Sequence, residues 1–427
     1  MSNEEKYPIR YGSFILIPLK YDALVPSQIE QIGAYRPLTT MDLNENIKAM
    51  LDRTNEAAVG ARYAVERAAL TGSLGGAADP AQVKGFRVTA DGKAWTFDLH
   101  DGWLYVFHTQ VAFLCLSLSF GDMEALKAIC NPGSAHNAAA FDWLDARGEA
   151  HPFSMEEWLG AIGAPLGLRK FFDGPSSYLL DAYTYIFALT PQRFETLEEM
   201  QRITFQLHKM LPPDATLEDT AEEDIRYVYA VREQVLRTYR WGCCVASQTI
   251  SYVTADAGMD FAAEQAAQAE DGLPVVLLSL YEKYTCLRFT ERITHLDKGR
   301  SRELKALKDM MLRFQAFGTV TPANLSRWHN VKQIYANLLE VNDIAAAVQD
   351  ISSKLTILTE HQQAIERSRS ETVVNIITLF GIVSILASVL SIVQILGGGD
   401  RLIWASTILT TAALALITVL ALRNKRK

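Results

Sequence analysis

Nothing in the 427-residue chain spells a catalytic signature. It has no G-x-x-x-x-G-K-[ST] phosphate loop and no G-x-G-x-x-G after a strand. It also has no H-E-x-x-H and no G-x-S-x-G, so no enzymatic activity is expected. Cysteine is scarce: Cys115, Cys130, Cys243, Cys244 and Cys286 make an odd set without metal-type spacing. That excludes a disulfide framework and fits a reducing compartment, with the adjacent Cys243-Cys244 pair in an apolar core segment. The histidines are scattered, and His100 and His108, flanking a predicted strand, read as surface or satisfied core groups rather than ligands. The first ten residues are polar and lack the apolar core of a signal peptide, so no cleaved leader is expected. Glycine and proline are both missing from residues 323–380, which removes every strong helix breaker from that stretch.

Charge and hydropathy are segregated. Residues 372–396 and 402–422 carry no charged side chain. A bilayer core of ~30 Å needs ~20 helical residues, so each run is long enough to span. Only residues 397–401 separate the runs, which makes the two spans antiparallel neighbours. The upstream run at 111–120 is too short and reads as a buried strand or core segment. Residues 372–427 hold one aspartate and five basic residues, a net of +4, which leaves −12 for residues 1–371 of a chain whose total is −8. The basic tail at 423–427 is expected to stay in the cytoplasm. With two spans, residues 1–371 then lie there too, giving a multi-pass protein of the inner (plasma) membrane with both termini cytoplasmic. The acidic body argues against nucleic-acid binding, and it either concentrates cations or simply keeps the domain soluble.

Pattern divides the chain further. Residues 1–195 read as a cytoplasmic α/β domain. Strands are expected at 14–19, 86–90, 93–99, 103–106 and 183–189, with hairpin signals at Asp91-Gly92 and His100-Asp101-Gly102. Residues 43–70 look helical, and 72–80 form a Gly/Ala-rich loop. Residues 196–320 read as mainly helical. Thr196-x-x-Glu199 is a capping box that opens a helix through Met210. Residues 225–240 continue helical, 241–255 return as a strand, and 274–296 and 302–317 are two more helices, the second stopped by Gly318. Thr321-Pro322 starts the next helix. Ile334, Leu338, Val341, Ile344, Val348, Ile351, Leu355 and Leu358 recur every three or four residues, a coiled-coil-like seam. The spacing predicts one continuous helix of ~110 Å over residues 321–396. Its first part, 321–371, is a stalk; 372–396 is the first transmembrane helix, 397–401 the outer loop, 402–422 the second span and 423–427 the basic tail.

Several residues invite function. Gly381, Ser384, Ser388 and Ser391 lie three or four apart in the first span, with Asn375 and Thr378 nearer the cytoplasm. Two uses compete for this stripe: close helix packing, or the lining of a pore built from several copies. Asn375 is the sharper pore candidate, because an amide in lipid needs water or a partner. At the outer mouth, Gly397-Gly398-Gly399-Asp400 forms either a tight turn or a ring of carbonyls and carboxylates suited to a hydrated cation, with Asp400 as the metal ligand. At the inner face, Arg367 and Arg369, with Arg423, Lys425, Arg426 and Lys427, either anchor headgroups or form a positive collar. Asp214, Glu218, Asp219, Glu222, Glu223 and Asp224 read as a solvated helix start, with divalent-ion binding the alternative.

Assembled in this order, the parts resemble the CorA-type magnesium transporter family, most closely over residues 321–427. The resemblance implies a homopentamer in the lipid bilayer, with the first span lining a pore, the second facing lipid and basic residues ringing the inner mouth. It implies a channel or transporter for a divalent cation such as Mg²⁺, gated through the cytoplasmic domain by a metal or small cytosolic ligand, with no other cofactor required. Asn375 falls where the family often carries a polar pore residue. The family's Gly-Met-Asn signature is replaced here by Gly397-Gly398-Gly399-Asp400, which marks a divergent member. Divergent relatives include membrane effectors of CRISPR-linked phage defence that permeabilise or depolarise the membrane, and a membrane-anchored scaffold without a pore is the third reading.

Overall fold

The run RYGSFILIPLK shows why β1 (Arg10–Lys20) lies at the centre of a sheet. All but its first residue are buried, so both faces are covered and its middle, Phe14–Leu19, is continuously apolar instead of alternating. It pairs antiparallel with β6 (Val111–Phe120) on one side and with β10 (Tyr183–Thr190) on the other. The computed structural model describes residues 9–24, 26–72, 74, 82–90, 92–130, 140–174, 177–211, 228–233, 237–256, 258, 260–296, 301–397, and residues 404, 407, 408, 411 and 412. Two compact units result: Met1–Leu296 with Ala306–Ile351, and Asp297–Lys305 with Ser352–Lys427.

In the first unit the remaining strands are β2 (Gly33–Tyr35), β3 (Gly60–Val65), β4 (Gly85–Ala90), β5 (Lys93–Phe107), β7 (Ala140–Leu144), β8 (Ala150–Phe153), β9 (Arg169–Lys170), β11 (Val228–Glu233), β12 (Thr238–Val245) and β13 (Thr249–Ala255). They form one sheet in the order β11-β12-β13-β10-β1-β6-β5-β4-β7-β8, with β3 joining β2 to β5 and β9 pairing with the end of β1. The β10–β13 pair is parallel; the other ladders are antiparallel. Helices cover both faces. On one, Ile15, Ile17, Leu114 and Leu116 share a core with Trp158 and Leu159 of the helix Met155–Gly163 and Ile203 and Leu207 of the helix Leu197–His208. On the other lies the core helix Leu273–Thr294. Its Tyr281 stacks on Phe107 at 4.1 Å between centroids, and its Tyr284 meets Phe113 edge-on.

Mixed α/β architecture, the strands at 14–19, 86–90, 111–120 and 183–189, and the turn at Gly92 between β4 and β5 follow the sequence reading. So does the Thr196 cap, whose hydroxyl accepts from Glu199 N at 3.2 Å. Five expectations are corrected. Residues 43–70 hold only the short helices Glu45–Met50 and Arg67–Thr71, with β3 between them. The Asp52 carboxylate takes the Thr54 N–H and the Asn55 side chain takes the Ala57 N–H, two turns that stop the first helix. Gly60 then brings β3 against β5, where a Cβ would lie 2.7 Å from the Phe107 ring. The two runs expected at 93–99 and 103–106 are one strand with a register shift between Leu99 and Gly102, so His100-Asp101-Gly102 forms a bulge and not a hairpin. The described part of 225–240 is β11 and the start of β12, because hairpin pairing outweighs a weak helical period. The segment 241–255 is two strands, β12 and β13.

The fifth correction concerns the stalk. Thr321 does precede a helix with Pro322 at its first turn, but that helix ends at Leu325. Ser326 and Trp328 are extended, and Ser326 Oγ accepts the Trp328 N–H at 3.0 Å. A second helix runs His329–Val341. Asn342 caps it by donating Nδ2 to the Leu338 carbonyl at 2.8 Å, and Asp343 takes φ 50°. Asn and Asp tolerate that left-handed turn better than other residues with a side chain, which is why the break sits there. The long helix is Ile344–Gly397, 54 residues without interruption. Of the expected seam, Ile334, Leu338, Ile344, Ile351 and Leu355 are buried. Among the described residues it is the one helix long and apolar enough to cross a membrane.

Candidate functional site

Side chains on the long helix divide at about residue 373. Val373, Val374, Ile377, Phe380, Ile382, Ile385, Val389 and Ile392 are all exposed large apolar residues. At about 100° per residue they spread over about 200° of the circumference, and an exposed apolar girdle that broad is not an ordinary soluble surface. A lipid or protein environment is what such a surface requires.

Because the helix is unbroken from Ile344 to Gly397, angular positions on it are fixed at about 100° per residue. Gly381, Ser384, Ser388 and Ser391 then share a stripe about 80° wide. Thr378 lies about 60° beyond Gly381, and Asn375 about 180° from Ser384. The helix therefore gathers four of the six expected pore residues and sends Asn375 to the opposite side. Three hydroxyls already have acceptors: Thr378 donates to the Val374 carbonyl, Ser388 to Ser384 and Ser391 to Ala387, at 2.8 to 2.9 Å. Such back-bonding satisfies a hydroxyl within its own helix. Asn375 is exposed, and its amide has no partner among the described residues. Gly397 is the last helical residue. Arg367 is exposed on the helix, and Arg369 is part of it. Gly398, Gly399, Asp400, Arg423, Lys425, Arg426, Lys427 and the acidic stretch from Asp214 to Asp224 lie outside the described residues. Of the second apolar run, Trp404, Thr407, Ile408, Thr411 and Ala412 are described, and all five are helical.

A cavity of about 190 Å³ in the first unit was not expected from the sequence. Its floor is one face of the β12–β13 hairpin. Trp241 pairs directly with Thr254, and Cys243 with Tyr252, so Trp241, Tyr252 and Thr254 project together. One wall is a widened turn. The helix Phe261–Ala267 passes through a π-helical segment, Gln268–Gly272, into the core helix. Pro274 offers no N–H to the turn before it, which accounts for the widening. Glu264, Gln268 and Asp271 line the cavity from this wall. Asn330, Val331 and Ile334 of the helix His329–Val341 form the other wall, and Asp42 closes the rim.

The polar groups here are unevenly satisfied. Glu264 Oε1 accepts from Thr254 Oγ1 and from Gln268 Nε2, each at 2.7 Å. Asp271 accepts from Thr40 Oγ1 at 2.6 Å. The neighbouring Glu270 points away and pairs with the buried Arg62 at 2.7 Å. Burial raises the Asp42 pKa, the Asp271 charge raises it further, and Arg327 offsets this in part. The lining comes from five separate stretches of chain, so spacing could not have revealed it. The one local signal is a proline two residues after a glycine inside an otherwise helical run, at Gly272-Leu273-Pro274. Comparison with protein-family models, with curated proteins and with solved structures finds no match for the chain.

Proposed function

We propose that this chain is one subunit of a homo-oligomeric cation channel in the membrane, a CorA-like pentamer gated through its cytoplasmic domain. The observation that carries the reading is the single helix Ile344–Gly397, which runs without a break through residues 360–373 from a buried apolar seam to the exposed apolar girdle. Movement of its first turns would be carried along a rigid rod, because nothing in between absorbs a bend. Two spans and a basic tail would leave both termini in the cytoplasm. A single span cannot enclose a pore, so conduction needs several copies around an axis, with the stripe of Gly381, Ser384, Ser388 and Ser391 facing inward. Asn375, on the opposite side, would then lie between subunits. Mg²⁺ or another divalent cation is the expected cargo.

A second reading, a membrane-anchored assembly without a pore, draws on the hydroxyls that bond back to their own helix, since small satisfied residues also let helices pack closely. Flux from proteoliposomes loaded with Mg²⁺ or K⁺ reporters separates the two. The channel reading expects cation movement that Ser384→Leu and Ser388→Leu block. No flux above that of empty liposomes for either ion would overturn it, as would flux indifferent to both substitutions.

A further inference from the structure

Three carboxylates line the cavity and no lysine or arginine does. Asp42 makes no side-chain hydrogen bond or ion pair with its carboxylate among the described residues. Glu264 is only 3% exposed. Both of its hydrogen bonds fall on Oε1, and Oε2 has none among the described residues. The Asn330 amide is likewise unpaired among them. Glu264 is buried and Asp42 and Asp271 are half-buried, with Arg327 offsetting the charge at Asp42 only in part, and carboxylates so short of counter-charge are costly to the fold. A cation in the cavity offsets that cost.

The cation is organic by the geometry of the oxygens. Mg²⁺ and Ca²⁺ need several oxygens converging on one point. Among the described residues, the one trio of acidic or histidine groups with ligand atoms within 4.8 Å of one another is Asp145, Glu149 and His151, beside the β7–β8 turn. Asp42, Glu264 and Asp271 are not gathered in that way. Instead Asp42 and Asp271 form one negative pole and Glu264 another. The rings of Trp241 and Tyr252, 6.3 Å apart, stand beside them. Aromatic faces attract ammonium and guanidinium groups. A dry cavity of roughly 150 Å³ holds benzene, so about 190 Å³ admits a slightly larger molecule.

We propose that this cavity binds a small organic cation of diamine size, with one ammonium or guanidinium group held by Asp42 and Asp271 and a second donor held by Glu264 Oε2. The inference stands whether or not the chain conducts ions, because binding is measured without a membrane potential or flux.

Isothermal titration of the full chain in detergent with 1,5-diaminopentane tests it. The expected result is saturable binding, one molecule per chain, and none for pentane-1,5-diol, which has the same length without charge. Asp42→Asn leaves the fold intact, since the carboxylate makes no bond there, and weakens binding roughly tenfold to a hundredfold. Asp271→Asn does the same through the other half of that pole. Trp241 fluorescence should change on saturation in parallel with the heat. No saturable diamine binding, equal binding of the diol, or diamine affinity unchanged in both variants would overturn the proposal. Binding of Mg²⁺ in place of the diamine would overturn it as well.

Discussion

Glu282 offers the sharpest quantitative check on the packing of the first unit. It is 3% exposed on the core helix. Two hydrogen bonds converge on its Oε1, from the Tyr335 hydroxyl at 2.6 Å and the Val320 N–H at 3.1 Å. Burial pushes its pKa from 4.5 up to about 7, against the pull of those two donors. A folded-state pKa above the unfolded value means that the folded protein holds the proton more tightly. The associated stability is complete below the unfolded pKa and is lost as pH rises through about 7. The full cost of ionisation is about 3 kcal/mol, of which about 2 kcal/mol falls between about pH 5.5 and about pH 8. Glu282→Gln keeps an Oε1 for both donors and cannot ionise. Urea unfolding of the detergent-solubilised protein, followed by tryptophan fluorescence, should show the variant gaining about 2 kcal/mol on the wild type across that range. Parallel pH profiles for the two proteins would refute the reasoning, because they would mean that Glu282 is not withdrawn from water.

Three further outcomes follow from single contacts. Thr196→Ala removes the hydroxyl that accepts from Glu199 N and should cost about 1 kcal/mol in the same unfolding assay. Gly85→Ala drives a Cβ into the Phe97 carbonyl oxygen, backbone that cannot yield within the β4–β5 ladder, so a loss of about 3 kcal/mol or more is expected, or failure to fold. Leu338→Ala empties a fully buried site on the helix that walls the cavity and should cost about 2–5 kcal/mol. A loss below about 1 kcal/mol there would show that this helix is loosely held.

The central strands were legible because they are buried on both faces, as in the apolar run Val111–Leu116 that opens β6. The core helix was legible for the same reason: its length and apolar content leave no strand alternative. Residues 225–240 misled because Val228, Tyr229 and Val231 fit a helical period and a strand about equally, and only the partner strand decides. The breaks at Ser326–Trp328 and Asn342–Asp343 contain neither glycine nor proline. They arise from side chains that bond their own backbone, a signal weaker than the apolar seam running past them. The stripe on the long helix could be read from spacing alone. The separation of Asn375 from it depends on the helix being unbroken. The cavity was illegible, since Asp42, Trp241, Glu264 and Asn330 meet only after the sheet has been assembled in its final order.

The parallel pairing of β10 with β13 has a consequence for synthesis. Antiparallel neighbours zip from a turn, but this pair must wait for the strand that ends at Ala255. Once that strand exists, the ribosome still has more than a hundred residues to add before Val373, a delay of about 5 to 25 s at ordinary translation speed. The nascent domain therefore has time to cover its strand edges before the exposed apolar half of the long helix emerges. Chaperone dependence in this chain should centre on its last sixty residues rather than on the sheet that precedes them.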